Sequence, residues 1–169
     1  LVIISNKFQK AFFSSVIGSR KGLKPYIKQS IFRKFKKNVF NKYNISDNRK
    51  IVVLHVRDSG WFGSGYHDYR DAKVETYILT VKYLISCNYT IVRIGDRSMP
   101  KFPYSDKNFL DLPHLSNFRD GDDVIITAFC DLYVGQNTGP IMLPLFFNKD
   151  IVLTNEPNPL IGWPFNGDN

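Results

Sequence analysis

A short polar run follows one of the most apolar segments of the chain. Ile51–Val56 is almost continuously apolar and rich in β-branched residues, and His55, Arg57 and Asp58 stand at its end. An apolar run bounded by charge predicts a buried strand, typical of a parallel sheet. Ligands of open parallel sheets bind beyond the carboxyl ends of the strands, where these side chains would emerge.

The two basic side chains of this run can be compared by their position. His55 and Arg57 share one face of the predicted strand, because strand side chains alternate with a period of two. The planar fork of Arg57 suits a phosphate or diphosphate, and the alternative is a structural ion pair with Asp58 or another carboxylate. A lone histidine in a strand is more often a packed core residue than a catalyst. On position alone, both interpretations stay open.

A second candidate lies where a predicted strand meets a predicted helix. The small-residue run Gly135-Gln136-Asn137-Thr138-Gly139-Pro140 follows the strand Leu132–Val134. Small residues allow a ligand close to the backbone, and a helix N-terminus offers N–H groups to an anion. The alternative is an ordinary loop in which Thr138 caps the helix. The run matches neither a Walker loop nor GxGxxG.

Further polar residues follow the strand Thr90–Ile94. Asp96, after Gly95, could accept a hydrogen bond from a ribose hydroxyl or a base, although glycine and aspartate are also turn residues. The loop Gly63–Arg70 is either substrate-facing or plain surface. No cluster has metal-ligand spacing, so we expect no metal ion and no cofactor.

These candidates need a scaffold, and strands and helices alternate from residue 50 onward. The pattern predicts an α/β fold: a Rossmann-like parallel sheet with helices on both faces. We expect free, buried thiols at Cys87 and Cys130. The other predicted elements are strands Asn108–Leu112 and Ile151–Thr154, and helices over residues 25–43, 73–87 with Asp71 as N-cap, 120–129 and 141–147.

The basic character of the chain is concentrated at its N-terminal end. Residues 1–50 hold 13 of the 23 Lys and Arg residues and one of the 15 acidic residues, a net +12, whereas residues 51–169 carry −4. Two parts are therefore predicted: a basic helical segment, 1–48, and the α/β domain, 49–169. Peripheral membrane contact through residues 20–43 is an open alternative to a solvated helix face. Nucleic acid is not predicted, because no recognition motif accompanies the charge.

The predicted helix over residues 25–43 is amphipathic. Pro25 suits its first position. Ile27, Ile31, Phe35 and Val39 recur on one side and predict the packing face.

The order of these motifs resembles a family of bacterial putative glycosyltransferases with two Rossmann-like domains, the GT-B arrangement, associated with surface-polysaccharide genes. The resemblance covers Ile51–Pro159. His55-Val56-Arg57 is similar to the HxR motif of fucosyltransferases, in which the arginine holds the donor diphosphate, although Asp58 stands where that motif has a second arginine. The run from Cys130 to Asn155 is similar to the nucleotide-sugar loop of heptosyltransferase-like enzymes.

The resemblance implies that the chain is the donor-binding, C-terminal half of a longer enzyme. It implies metal-independent transfer of a sugar from a nucleotide-diphosphate sugar to a glycan or lipid-linked acceptor. The enzyme would be cytoplasmic or peripheral to the inner membrane. The alternative is a non-catalytic nucleotide-binding module, or a partial chain that needs a partner domain. Catalytic roles fall to Arg57 and His55; donor binding falls to Gly95, Asp96, Gln136, Asn137, Thr138, Gly139 and Pro140.

Overall fold

Strands and helices alternate along most of the chain. The computed structural model describes residues 2–4, 29–58 and 68–155, so the expectations for Pro25, Ile27 and the 63–67 part of the loop lie outside the described residues. The strands are β1 (Val2–Ile4), β2 (Lys50–Leu54), β3 (Tyr89–Arg93), β4 (Phe109–Asp111), β5 (Leu132–Gly135) and β6 (Asp150–Leu153). The α-helices are α1 (Gln29–Lys42), α2 (Ile78–Ser86), α3 (Asp122–Phe129) and α4 (Met142–Phe146).

The described strands form one sheet in the order β1-β6-β5-β2-β3-β4. Strand β1 is antiparallel to β6, and the other four neighbouring pairs are parallel. The first parallel strand, β2, is therefore central, with β3 and β4 added on one side and β5 and β6 on the other. This is a doubly wound order. The predicted α/β, Rossmann-like parallel sheet is confirmed.

Both faces of the sheet are covered by helices, as predicted. Side chains of β2 alternate between the faces: Val52 and Leu54 enter one apolar core, and Ile51 and Val53 enter the other. Helix α2 and the 3-10 turn before it pack on the first face. Helices α1, α3 and α4 pack on the second. The burial of successive side chains on opposite sides explains the continuous apolar sequence of this strand.

Helix α1 packs only in part with the side that its sequence predicts. Val39 is buried in the core as expected, but Ile31 and Phe35 are 46% and 48% exposed. The packing side also carries Phe32, whose ring lies 5.0 Å from that of Phe129, and the buried Phe40. The aromatic partner on α3 determines which residues of α1 pack, and the spacing of apolar residues within α1 does not show it.

Two smaller expectations are wrong. Asp71 does not cap a helix: the helical segment begins after Lys73 with the 3-10 turn Val74–Tyr77 and has no side-chain cap, because the Asp71 carboxylate binds Arg57 instead. Cys87 is exposed. Cys130 is buried as predicted, and burial raises the pKa of its thiol to about 12.

A helix that crosses a lipid bilayer needs about 20 predominantly apolar residues. Among residues 29–58 and 68–155, no helix has the length and apolar content needed to cross one.

One carboxylate ties α1 to α3. Asp122 Oδ2 accepts hydrogen bonds from Lys42 Nζ and from the buried Tyr43 hydroxyl, both at 2.6 Å. The Arg119 N–H donates to the same oxygen at 3.1 Å. Burial alone would raise the pKa of Asp122, but the hydrogen bonds outweigh burial and the pKa is lowered. This contact fixes the basic helix on the sheet.

We expect Asp122→Ala to lower the free energy of unfolding by about 2 kcal/mol, because the Tyr43 hydroxyl and Lys42 lose a shared acceptor. Urea denaturation measures the change. The control is Asp47→Ala, which removes the exposed ion pair with Lys36 (2.6 Å). That variant should change stability by about 0.5 kcal/mol or less. Equal effects of the two variants would contradict this role for Asp122.

Candidate functional site

The chain leaves β2 and β5 towards opposite faces of the sheet. Strand β2 leads to α2 on one face, and its parallel neighbour β5 leads to α4 on the other. The diverging connections open a crevice beyond the carboxyl ends of the two strands, the usual ligand position in doubly wound sheets.

A cleft of about 690 Å³ occupies this position. Its walls are the segments that follow β2, β3 and β5, together with one residue each from α3 and α4. The lining residues are His55, Arg57, Asp58, Arg70, Ile94, Gly95, Asp96, Met99, Asp123, Asn137, Thr138, Gly139, Pro140 and Leu143.

The cleft brings together most of the residues predicted from sequence. The predicted residues that line it are His55, Arg57, Gly95, Asp96, Asn137, Thr138, Gly139 and Pro140. The exception is Gln136, which is 2% exposed and does not line the cleft. The roles of these residues stay predictions, whereas their shared position is a property of the fold.

Sequence reasoning gave no role to two charged residues of the cleft, Arg70 and Asp123. Arg70 ends the 3-10 turn Asp68–Arg70, and its carbonyl oxygen accepts a hydrogen bond from Gln136 at the sheet edge. Asp123 lies in the first turn of α3, where an acidic residue suits the positive end of the helix. Its Oδ1 does accept the Val124 N–H at 2.9 Å, and burial raises its pKa. The Asp-rich start of the predicted helix was the feature of the sequence that could have indicated an acidic residue at this site.

Arg57 is held in the cleft by three kinds of contact. Its Nε donates to Asp71 Oδ1 at 2.8 Å, its N–H donates to Gln136 Oε1 at 2.6 Å, and its carbonyl oxygen accepts from Ala72 at 3.0 Å. The residue is 8% exposed. Arg57 therefore forms an ion pair, with Asp71 rather than Asp58, and also lines the cleft. The ion-pair interpretation and the ligand-binding interpretation of Arg57 are therefore compatible.

The buried Gln136 joins the two arginines of the cleft. Its Oε1 accepts from the backbone of Arg57, and its Nε2 donates to the backbone carbonyl of Arg70. One carboxamide thus fixes the distance between the segment after β2 and the end of the following loop. Gln136 thus holds the backbone of both arginines, and its role in donor binding stays a prediction.

His55 is a neutral side chain at this edge. Its Nδ1 lies 3.3 Å from the Ile94 carbonyl oxygen, an acceptor, so Nδ1 carries the proton of the neutral ring and Nε2 is an acceptor. Burial lowers the pKa of His55 to about 4, against the effect of that hydrogen bond, and the nearby Arg93 and Arg57 lower it further. At neutral pH, His55 offers a hydrogen-bond acceptor and no charge.

The last residue of β5 lies close to the backbone that follows β2. A Cβ added to Gly135 would lie 2.9 Å from the His55 carbonyl oxygen, so only glycine fits. The predicted helix over 141–147 is shorter than expected: a 3-10 turn, Gly139–Ile141, leads into α4, which has five residues. The loop after β5 therefore offers backbone N–H groups, the Thr138 hydroxyl and the Asn137 amide rather than a strong helix dipole.

Both signs of charge line the cleft. Its cations are Arg57 and Arg70, and its carboxylates are Asp58, Asp96 and Asp123. Asp96 and Asp123 also line a smaller adjoining pocket of about 390 Å³. Gly95, with φ of +149°, makes the turn after β3, and a Cβ there would clash with the Met99 sulfur. The arrangement suits a ligand with an anionic part and a hydroxyl-rich or N–H-rich part.

A metal ion would need several ligating side chains close together. Within the described ranges, no three His, Cys, Asp or Glu side chains lie together in a way that could hold a metal ion. The expectation of a metal-free site stays a prediction.

The chain was compared with known proteins. No family model, no curated protein and no solved structure matches it. Support for a function therefore comes from the cleft and from the sequence motifs that form it.

We expect protonation of His55 to destabilise the fold in a defined pH window. Its folded-state pKa of about 4 lies below the ordinary histidine value of 6.5, so the unfolded chain binds more protons between these pH values. The free energy of unfolding should fall as pH falls through this window, by on the order of 3 kcal/mol in total. His55→Asn should remove this part of the pH dependence in urea titrations. A ring titration midpoint of His55 near 6.5 by NMR would contradict the assignment.

We expect Gln136→Ala to lower the free energy of unfolding by about 2 kcal/mol, because the buried Arg57 N–H loses its acceptor. The control is Asn137→Ala, at the next position, which lines the cleft. That variant should stay within about 0.5 kcal/mol of the wild type. Denaturant titration of both variants gives the comparison, and a larger loss in Asn137→Ala would refute the bridging role.

Proposed function

We propose that the chain binds the diphosphate of a nucleotide sugar and serves in metal-independent transfer of the sugar. The observation that carries this proposal is the pair of cleft-lining arginines, Arg57 and Arg70, held by one buried carboxamide at the switch point of the sheet. Arginine forks match phosphate oxygens in geometry and charge. The resemblance to glycosyltransferases supplies the reaction class.

The proposed chemistry uses these cations on the leaving group. The acceptor hydroxyl oxygen attacks the anomeric carbon of the sugar, and the bond from that carbon to the diphosphate oxygen breaks. Negative charge then develops on the diphosphate, where Arg57 and Arg70 stabilise it. Thr138 and the backbone N–H groups beside it add neutral donors to the same phosphates.

The rest of the cleft would hold the uncharged parts of the donor. Asp96 and Asp123 supply acceptors for ribose hydroxyls or for N–H groups of a base. His55 Nε2 accepts a hydrogen bond from a donor hydroxyl. Because the pKa of His55 is about 4, its ring is a weak base at neutral pH. We therefore assign His55 to donor binding, and the acceptor proton passes to another group.

The wider context is proposed from the resemblance alone. The acceptor is a glycan or a lipid-linked glycan of a surface polysaccharide, and the reaction takes place on the cytoplasmic side of the inner membrane. The second candidate, a nucleotide-binding module that needs a partner domain for catalysis, shares the same donor site. The two candidates differ in what happens when the chain is incubated with the nucleotide sugar that binds best. Release or transfer of the sugar identifies an enzyme.

Binding of nucleoside diphosphates tests the donor site directly. Calorimetric titration with UDP, GDP, CDP, ADP and dTDP, each with and without Mg²⁺, should give selective binding of one compound that does not depend on Mg²⁺. Arg57→Ala should weaken that binding at least about tenfold, the loss expected for a charge-assisted hydrogen bond. No binding of any diphosphate by the folded chain would contradict the proposal.

Two further variants make this test specific. Arg119→Ala removes an exposed arginine that does not line the cleft, and it should bind as the wild type does. Asp71→Asn removes the carboxylate partner but keeps the Arg57 guanidinium. Binding should survive in Asp71→Asn. Loss of binding in Asp71→Asn but not in Arg57→Ala would place the diphosphate elsewhere.

A further inference from the structure

Helix α1 presents two large apolar side chains to solvent beside its cations. Ile31 and Phe35, one helical turn apart, are 46% and 48% exposed. Arg33, Lys34 and Lys37 are also exposed. The sequence of α1 contains no acidic residue. The outward-facing side of α1 is therefore basic. Ile31 and Phe35 lie at one edge of it, nearest to Lys34, and Arg33 and Lys37 lie towards the other edge.

The charges on this side are not used within the described structure. Two other cations of α1 are paired: Lys36 with Asp47, and Lys42 with Asp122. Among the residues that the structure describes, no carboxylate pairs with Arg33, Lys34 or Lys37. Their positive charge faces outward.

The distribution of charge along the chain orients this helix. Residues 1–50 carry a net +12 and residues 51–169 a net −4. Near a negatively charged surface, the basic part is attracted and the remainder is repelled. The helix with Ile31 and Phe35 would therefore approach such a surface first.

We propose that α1 docks the protein on an anionic lipid bilayer, with Ile31 and Phe35 inserted at the headgroup boundary and Arg33, Lys34 and Lys37 on lipid phosphates. Interfacial helices combine these two attractions. A nucleic acid would use the cations but would leave Ile31 and Phe35 in water. The apolar pair therefore favours a bilayer. This docking does not depend on the cleft or on its proposed ligand.

Sedimentation with lipid vesicles tests the docking. The full chain should bind vesicles of phosphatidylcholine and phosphatidylglycerol in equal parts, and should not bind pure phosphatidylcholine. The triple variant Arg33→Gln, Lys34→Gln, Lys37→Gln should bind on the order of 100-fold more weakly. The double variant Ile31→Ser, Phe35→Ser should bind about tenfold more weakly.

Matched variants elsewhere control for general effects of charge and apolar area. Leu79 and Tyr83 form an exposed apolar pair with the same spacing on α2. Lys73, Lys101 and Lys107 are three exposed lysines outside α1. Replacing the first pair with Ser, or the three lysines with Gln, should leave vesicle binding within about twofold of the wild type.

Three results would overturn the proposal. The first is no binding of the full chain to the anionic vesicles. The second is an equal loss of vesicle binding in the α1 variants and in their control variants. The third is unchanged vesicle binding in Ile31→Ser, Phe35→Ser together with a lower thermal unfolding temperature, which would show that the chain itself covers these side chains. Salt-sensitive binding of duplex DNA without vesicle binding would likewise replace the bilayer with nucleic acid.

Discussion

The close approach of β5 to β2 is the constraint on which the candidate site depends. Gly135 lies against the His55 carbonyl oxygen, and the His55 N–H donates to Val134 at 2.9 Å. This contact continues the pairing of the two strands beyond their regular parts. It brings Gln136 within reach of the Arg57 backbone. Without it, the two motifs, separated by about 80 residues in the sequence, would not share a cleft.

The fold could be predicted from sequence because its signals are local. The apolar run at Ile51 and the repeated alternation of strand and helix define a parallel sheet, and the strand ends locate most of the cleft. Long-range packing could not be predicted in this way. Ile31 and Phe35 form a regular stripe, yet Phe32 and Phe40 pack because α3 offers them an aromatic partner. The hydrogen bonds of Gln136 could not be predicted either, because its two backbone partners are distant in sequence.

The electrostatics of the cleft follow from where each charge is held. Arg57 lies nearly buried, and its guanidinium pairs with the Asp71 carboxylate. His55, beside it, is neutral because burial and two arginines disfavour its charged form. Asp96 and Asp123 line the same cleft, which therefore offers cations, neutral donors and carboxylates. A nucleotide sugar carries groups that complement all three, which is why the donor role accounts for more of the site than an anion site alone.

A crystal structure of the chain with the best-binding nucleoside diphosphate tests the central claim most directly. The account predicts the two phosphates in the cleft, between the guanidinium groups of Arg57 and Arg70 and the backbone at Thr138-Gly139, with the nucleoside extending towards Asp96. Phosphates bound instead at Arg97, in the adjoining pocket, or on the lysines of α1 would contradict it. In that case the paired arginines would be a structural feature of the sheet edge and not a donor site.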